Sequence, residues 1–94
     1  MEFEKNGTAL TVRLIGEVTS DNTPKIVETL FRETDGINEI TFDLNDLDYI
    51  SSSGLRMLIA LQKLMKDNMV IKNANEEVMR IFEIAGFTSI LNFG

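Results

Sequence analysis

Two periods of apolar residues trade places along this chain, one of two residues and one of three to four, which separates strands from helices. Leu10, Val12 and Leu14 alternate with Thr11, Arg13 and Ile15, predicting a strand from Thr8 to Gly16. Asn6-Gly7 predicts a hairpin before it, because both residues tolerate the positive φ of a type I′ turn; its other arm is a short strand around Phe3. A first helix opens at Thr23-Pro24, where Thr caps and Pro lacks only an N–H that would have no partner. Val27, Leu30 and Phe31 form its apolar stripe, and Asp35-Gly36 stops it. Ile40, Phe42 and Leu44 alternate with Thr41, Asp43 and Asn45 in a third strand. A second helix runs from the serines at 51–53 to about Asn68, with Arg56, Gln62, Lys63, Lys66 and Asp67 left for water. Met69-Val70-Ile71 is a fourth strand. Asn75 caps a third helix that carries Val78, Ile81, Phe82 and Ala85 and stops at Gly86; Ile90, Leu91 and Phe93 predict a last short strand.

An opening hairpin followed by βα units implies an α/β fold with a mainly parallel mixed sheet and right-handed crossovers. Strands covered on both faces are apolar throughout, yet the third strand alternates cleanly. The helices are therefore expected mostly on one face, with the other open to solvent.

Composition narrows the function classes. The 94 residues make one domain, 1–94, and 44% hydrophobic with 26% charged residues is ordinary for a globular protein. Nine basic against fifteen acidic residues give a net charge of −6 with no basic cluster. That excludes the phosphate neutralisation nucleic acid requires and the polybasic docking an anionic membrane requires; it suits a basic patch on a protein partner. With no cysteine and no histidine, thiolate chemistry, zinc–sulfur sites and a Ser–His–Asp triad are out of reach. No enzyme, cofactor or metal is expected. The start, Met1-Glu2-Phe3-Glu4-Lys5, lacks a leader pattern and no apolar run reaches membrane-spanning length, so the expected location is cytoplasmic.

The informative segment is Asp43 to Leu55, which leaves a strand and enters a helix through Ser51-Ser52-Ser53-Gly54. One reading is capping, since serine is among the best N-cap residues and Gly54 lets the turn close. Three serines exceed what one cap needs. The other reading is phosphorylation: a phosphate at a helix N-terminus meets free N–H groups and a favourable dipole, so it leaves the fold intact. Its bulk and charge then join Asp46 and Asp48 on the surface and repel a partner.

The run from Asp43 to Leu55 resembles the signature of STAS domains, the fold of bacterial anti-sigma-factor antagonists, in which Asp-Ser-Ser/Thr-Gly-Leu-Gly opens a helix. Gly16-Glu17-Val18 resembles the family's second-strand ending, and Arg80 to Phe87 its third-helix ending. The resemblance implies that Ser52 is the phosphoacceptor, with Ser51 and Ser53 as rivals. It also implies an anti-sigma factor that is a serine kinase as partner, released on phosphorylation, and a serine phosphatase that restores binding. Three positions depart from the pattern: Ser51 replaces the Asp before the acceptor, Arg56 replaces the second Gly, and Thr19 stands where an Asp is usual, with Asp21 nearby. The longer C-terminal helix of some relatives is not expected here.

The partner surface is expected around Asp46, Asp48, Tyr49, Ser51, Ser53, Gly54, Arg56, Met57 and Leu61. Asp46 and Asp48 serve recognition or solubility, being too few for a coordination shell. Met57 and Leu61 are core residues or an exposed ridge beside Ser52 that anchors the partner, and Tyr49 belongs to that contact or to the core. The alternative from another class is a structural STAS subunit of an ABC-type membrane transport complex, its hydroxyl unmodified. An enzyme with Ser52 as nucleophile would have only Lys63, Lys66 or a carboxylate as base.

Overall fold

Alternation along the strands gives the sheet one buried and one open face. The computed structural model describes residues 1–94. Its elements are β1 (Glu2–Asn6), β2 (Ala9–Arg13), β3 (Gly16–Val18), α1 (Thr23–Glu33), β4 (Glu39–Asp43), β5 (Leu47–Ile50), α2 (Ser52–Leu64), β6 (Met69–Lys72) and α3 (Glu76–Ile84). The main sheet has the order β1-β2-β4-β6, with β1 antiparallel to β2 and the other pairs parallel. Leu10, Val12, Ile40, Phe42, Met69 and Ile71 lie on the covered face, none more than 2% exposed. They share one core with Leu30 of α1, Leu58 of α2 and Val78 and Phe82 of α3, so all three helices pack on that face. The open face carries Thr11, Thr41 and an ion-pair row in which Arg13 meets Glu4 at 3.1 Å and Asp43 at 3.6 Å.

The expected long second strand is in fact two. After Arg13 and after Asp43 the paired strands β2 and β4 break together and resume as the parallel pair β3–β5, an element alternation did not predict. Leu14, Leu44 and Leu47 bury themselves at this corner, each no more than 1% exposed. Gly16, at φ +79°, makes the bend in a conformation that side chains with a Cβ resist, and its N–H bonds the Asp46 carbonyl at 2.9 Å.

Several boundaries differ from expectation for local reasons. Asn6 pairs with Ala9, so the hairpin loop is Gly7-Thr8, with Gly at the first central position as in a type II′ turn. Asn22, not Thr23, stands at the N-cap of α1; its side chain turns back to the Thr19 N–H (2.8 Å) and the Glu17 carbonyl (2.9 Å). Helix α2 ends at Leu64 rather than near Asn68, because Lys66 and Asp67 adopt positive φ without a glycine. Their N–H groups bond the carbonyls of Lys63 (3.2 Å) and Gln62 (3.0 Å), closing a Schellman-type end.

Gln62 is buried, not solvated: its amide donates to the Ile90 carbonyl and accepts from the Asn92 N–H at 3.2 Å. That pairing draws the C-terminal stretch back onto the domain. The expected last strand shrinks there to one parallel bridge, Ile71 to Phe93, and the Phe93 ring meets Phe82 edge-on at 5.3 Å. Asn75 caps α3 as expected, accepting from the Val78 N–H at 2.8 Å, and also donates to the Leu47 carbonyl at 3.1 Å, tying α3 to β5.

Candidate functional site

Strands β3 and β5 run parallel and finish side by side. Val18 pairs with Ile50, and the Ser51 N–H donates to the Val18 carbonyl at 2.8 Å. The turn after β3, closed by mutual bonds between Thr19 and Asn22, therefore lies beside the serine run after β5. Two segments singled out separately in the sequence meet at one end of the sheet.

The three serines are not equivalent. Ser51 is the N-cap of α2; its Oγ accepts from the Gly54 N–H at 3.3 Å and it is half-buried. Ser52 is the first helical residue, is exposed, and its hydroxyl has no partner. Ser53 is half-buried. The N–H groups of Ser52 and Ser53 find no acceptor in the chain, as the first turn of a helix dictates. Capping and a free hydroxyl thus coexist here, on different serines.

Gly54, expected at the partner surface, is instead buried. A Cβ there would stand 2.6 Å from Ile50 Cγ1 and 2.7 Å from Val18 Cγ1. Its role is close approach of α2 to the strand pair beneath, more than the turn geometry expected of it. Asp48 is exposed on β5 and Tyr49 is 43% exposed, which removes Tyr49 from the core. Asp46 precedes β5 and so stands at the opposite end of that strand from Ser51.

Of the two readings of Met57 and Leu61, core residues or an exposed ridge, burial favours the core: they are 6% and 7% exposed. They form the floor of a groove between α1 and α2, a cavity of about 200 Å³ lined only by apolar residues. Its walls are the residues sequence reasoning missed, Phe31 at 59% and Leu64 at 62% exposure, together with Ala60. The wide apolar arc of α2 was the available signal, but the arc does not say which of its edges stays uncovered. In a chain of net charge −6, α2 holds the cations Arg56 and Lys63 and no carboxylate. Both are exposed.

The groups with displaced titration lie away from this tip, on the open sheet face. Hydrogen bonds from the Asn73 side chain and the Asn45 N–H, with Arg13 nearby, hold the Asp43 carboxyl below its usual range. Glu4 raises Arg13.

The STAS domain model matches residues 1–94. Among named relatives, BtrV of Bordetella bronchiseptica, assigned as an anti-sigma factor antagonist, is 33% identical over 94 residues, covering 96% of this chain and 81% of that protein. The anti-sigma-B factor antagonist of Bacillus subtilis is 23% identical over 95 residues, covering 98% and 87%. Among solved structures, the anti-sigma factor antagonist SpoIIAA in its unphosphorylated form superposes with a TM-score of 0.83 at 15% identity, covering 99% of this chain and 86% of that one. SpoIIAA in its phosphorylated form, described as a Bacillus cell fate determinant, superposes at 0.74 and 14% identity, covering 99% and 89%. The fold and mixed sheet expected from the sequence are those of this group.

Proposed function

The chain belongs to the STAS domain family, and from that premise we propose that it is an anti-sigma-factor antagonist whose binding is switched by phosphorylation of Ser52. The observation that carries the reading is the division of labour among the serines: Ser51 is engaged as the cap, Ser53 is half-buried, and Ser52 presents a free hydroxyl at the helix tip. The family relatives named as anti-sigma factor antagonists support the partner class.

Unmodified, the tip and the neighbouring groove receive an anti-sigma factor that is also a serine kinase, in the cytoplasm. Met57 and Leu61 form the floor of that contact, and Phe31 and Leu64 supply its exposed apolar anchors. In the switching step the Ser52 oxygen bonds to the γ-phosphorus of ATP, the bond to the departing ADP breaks, and the hydroxyl proton passes through the kinase to solvent. The new phosphate meets the unpartnered N–H groups of Ser52 and Ser53 and the positive end of α2, so the domain stays folded while its surface repels the partner. A serine phosphatase reverses the step with water, releasing inorganic phosphate.

In this reading Ser52 is an acceptor for the kinase, and neither lysine weighed as a base for chemistry of the chain's own is placed beside it. Lys63 is eleven residues further along α2, about 16 Å at the helical rise, and Lys66 lies beyond the helix end. Neither reaches the Ser52 hydroxyl as a base.

The test is phosphorylation by the cognate kinase with ATP, read by mass spectrometry on wild type, Ser51→Ala, Ser52→Ala and Ser53→Ala. Loss of the modification in Ser52→Ala alone is expected. Full modification of Ser52→Ala would overturn the assignment.

A further inference from the structure

Resting on the reading of Ser52 as the modified residue, we infer that Arg56 is the group through which a phosphate on Ser52 alters the partner surface. Unmodified, its guanidinium is a free cation beside the α1–α2 groove and takes a carboxylate of the docked partner. Once Ser52 carries a phosphate, the same guanidinium turns back onto the phosphate oxygens, and the partner loses its cation as the new anion arrives.

Spacing is the first support. Arg56 follows Ser52 by four residues and Ser53 by three, so it lies one helical turn above the gap between them. Helical side chains lean toward the N-terminus, which directs Arg56 back over the first turn. The residues four beyond the other two serines, Leu55 after Ser51 and Met57 after Ser53, are buried and apolar. Arg56 is thus the only polar neighbour one turn on from Ser52 or Ser53, and of these two Ser52 is the more exposed. Ser52 is the exposed member of the run and the one with a cation four residues on.

Availability is the second. Lys5 and Arg13 are committed to carboxylates, Lys5 with Glu33 at 3.2 Å and Arg13 with Glu4 and Asp43. Arg56 is exposed and has no carboxylate within 4.0 Å. A guanidinium offers paired N–H donors that match two phosphate oxygens, and such charge-assisted bonds are roughly twice as strong as neutral ones.

Surroundings are the third. Arg56 and Lys63 share an edge of α2 that runs beside Ala60 and Leu64, so apolar wall and basic rim lie in parallel. The partner element that fits is a helix with an apolar face flanked by a carboxylate. The phosphate would be held from two sides, by the free N–H groups of the first turn and by Arg56, leaving the rim with Lys63 alone.

The test needs no kinase or partner. Phosphoserine is installed at position 52 during synthesis of the full chain, and its second ionisation is followed by phosphorus NMR in otherwise wild-type protein, Arg56→Gln and Arg56→Lys. An adjacent cation favours the dianion, so the wild-type midpoint should lie roughly half a unit or more below that of Arg56→Gln, with Arg56→Lys between them. The offset should shrink in 1 M salt, where the screening length falls to about 3 Å. Coincident wild-type and Arg56→Gln curves, with matching thermal unfolding, would overturn the role of Arg56 and leave the switch reading standing. A cognate kinase that leaves Ser52 unmodified would defeat the switch reading whatever the titration gives.

Discussion

The central pair β2–β4 of the main sheet and the short pair β3–β5 are cut from the same two lengths of chain, yet they follow different rules. In β2 and β4 every second side chain enters the core, and the register runs without a slip from Ala9–Glu39 to Arg13–Asp43. In the pair, Gly16 faces Leu47 but Glu17 faces Tyr49, so one residue bulges, and β5 reads buried, exposed, exposed, buried. The slip lets Val18 and Ile50 both turn toward Gly54 while Asp48 and Tyr49 face outward. Regular pairing builds the core; the irregular pair beside it positions the helix tip. Bulges are over-represented where a strand must re-aim its side chains, and this one lies directly under the candidate site.

The contrast predicts unequal costs. Phe42, fully buried at the centre of the regular sheet, leaves a cavity when cut to alanine, and Phe42→Ala should cost about 3–5 kcal/mol. For a domain of this size that is a large share of its stability and removes every activity together. Gly54→Ala presses a methyl against Ile50 and Val18, a strain of about 1–3 kcal/mol. That variant should fold, with a melting temperature several degrees lower, since each 1 kcal/mol shifts it by about 4–8 °C in a domain this small. Denaturant titration of both variants ranks them. A Gly54→Ala protein as stable as wild type would show that α2 does not sit tightly on the strand pair.

Within the tip the contrast narrows to neighbouring serines. Ser51→Ala removes the oxygen that accepts the Gly54 N–H and should cost roughly 1 kcal/mol. Ser52→Ala removes a hydroxyl with no partner and should stay within about 0.5 kcal/mol of wild type. Phosphate incorporation should run the other way, persisting in Ser51→Ala and vanishing in Ser52→Ala. Equal destabilisation by the two substitutions would erase the distinction between cap and acceptor.

What could be read from the sequence follows the same division. Alternation located the core face of β2 and β4, and the glycine at 86 ended α3 as expected, its N–H bonding the Glu83 carbonyl and that of Phe87 the Phe82 carbonyl. Period-two reasoning fails where the register slips, so the break after Arg13 and the whole of β5 went unseen. The end of α2 was hidden because Lys66 and Asp67 take positive φ, a task that composition assigns to glycine. Gln62 read as a solvent residue because a polar side chain on a helix gives no sign of a chain terminus folding back onto it. The serine tip was legible as a candidate, but which serine caps depends on where the helix starts, a one-residue question that propensity does not answer.

The smallest effect belongs to the open face of the regular sheet, far from the tip. Bonds from the Asn73 side chain and the Asn45 N–H, and then the charge of Arg13, lower the Asp43 ionisation below its ordinary value of 3.8. A carboxyl whose ionisation is depressed by folding stabilises the fold above its unfolded value; that contribution fades as pH falls through the folded value, where both states become protonated. Wild type should therefore exceed Asp43→Asn in stability by a constant margin near neutral pH, and the margin should shrink as the solution is acidified below about pH 4. The ion pair is partly solvated, so the margin is small and should weaken further with salt. Urea unfolding of both proteins at pH 7 and pH 3 measures it. A margin that grew on acidification would mean the Asp43 carboxyl is favoured in its neutral form, contrary to the three donors that face it. Since none of these groups hydrogen-bonds or ion-pairs with a side chain of α2 or β5, phosphate incorporation at Ser52 should be the same in both proteins, which separates the electrostatics of the open face from those of the switch.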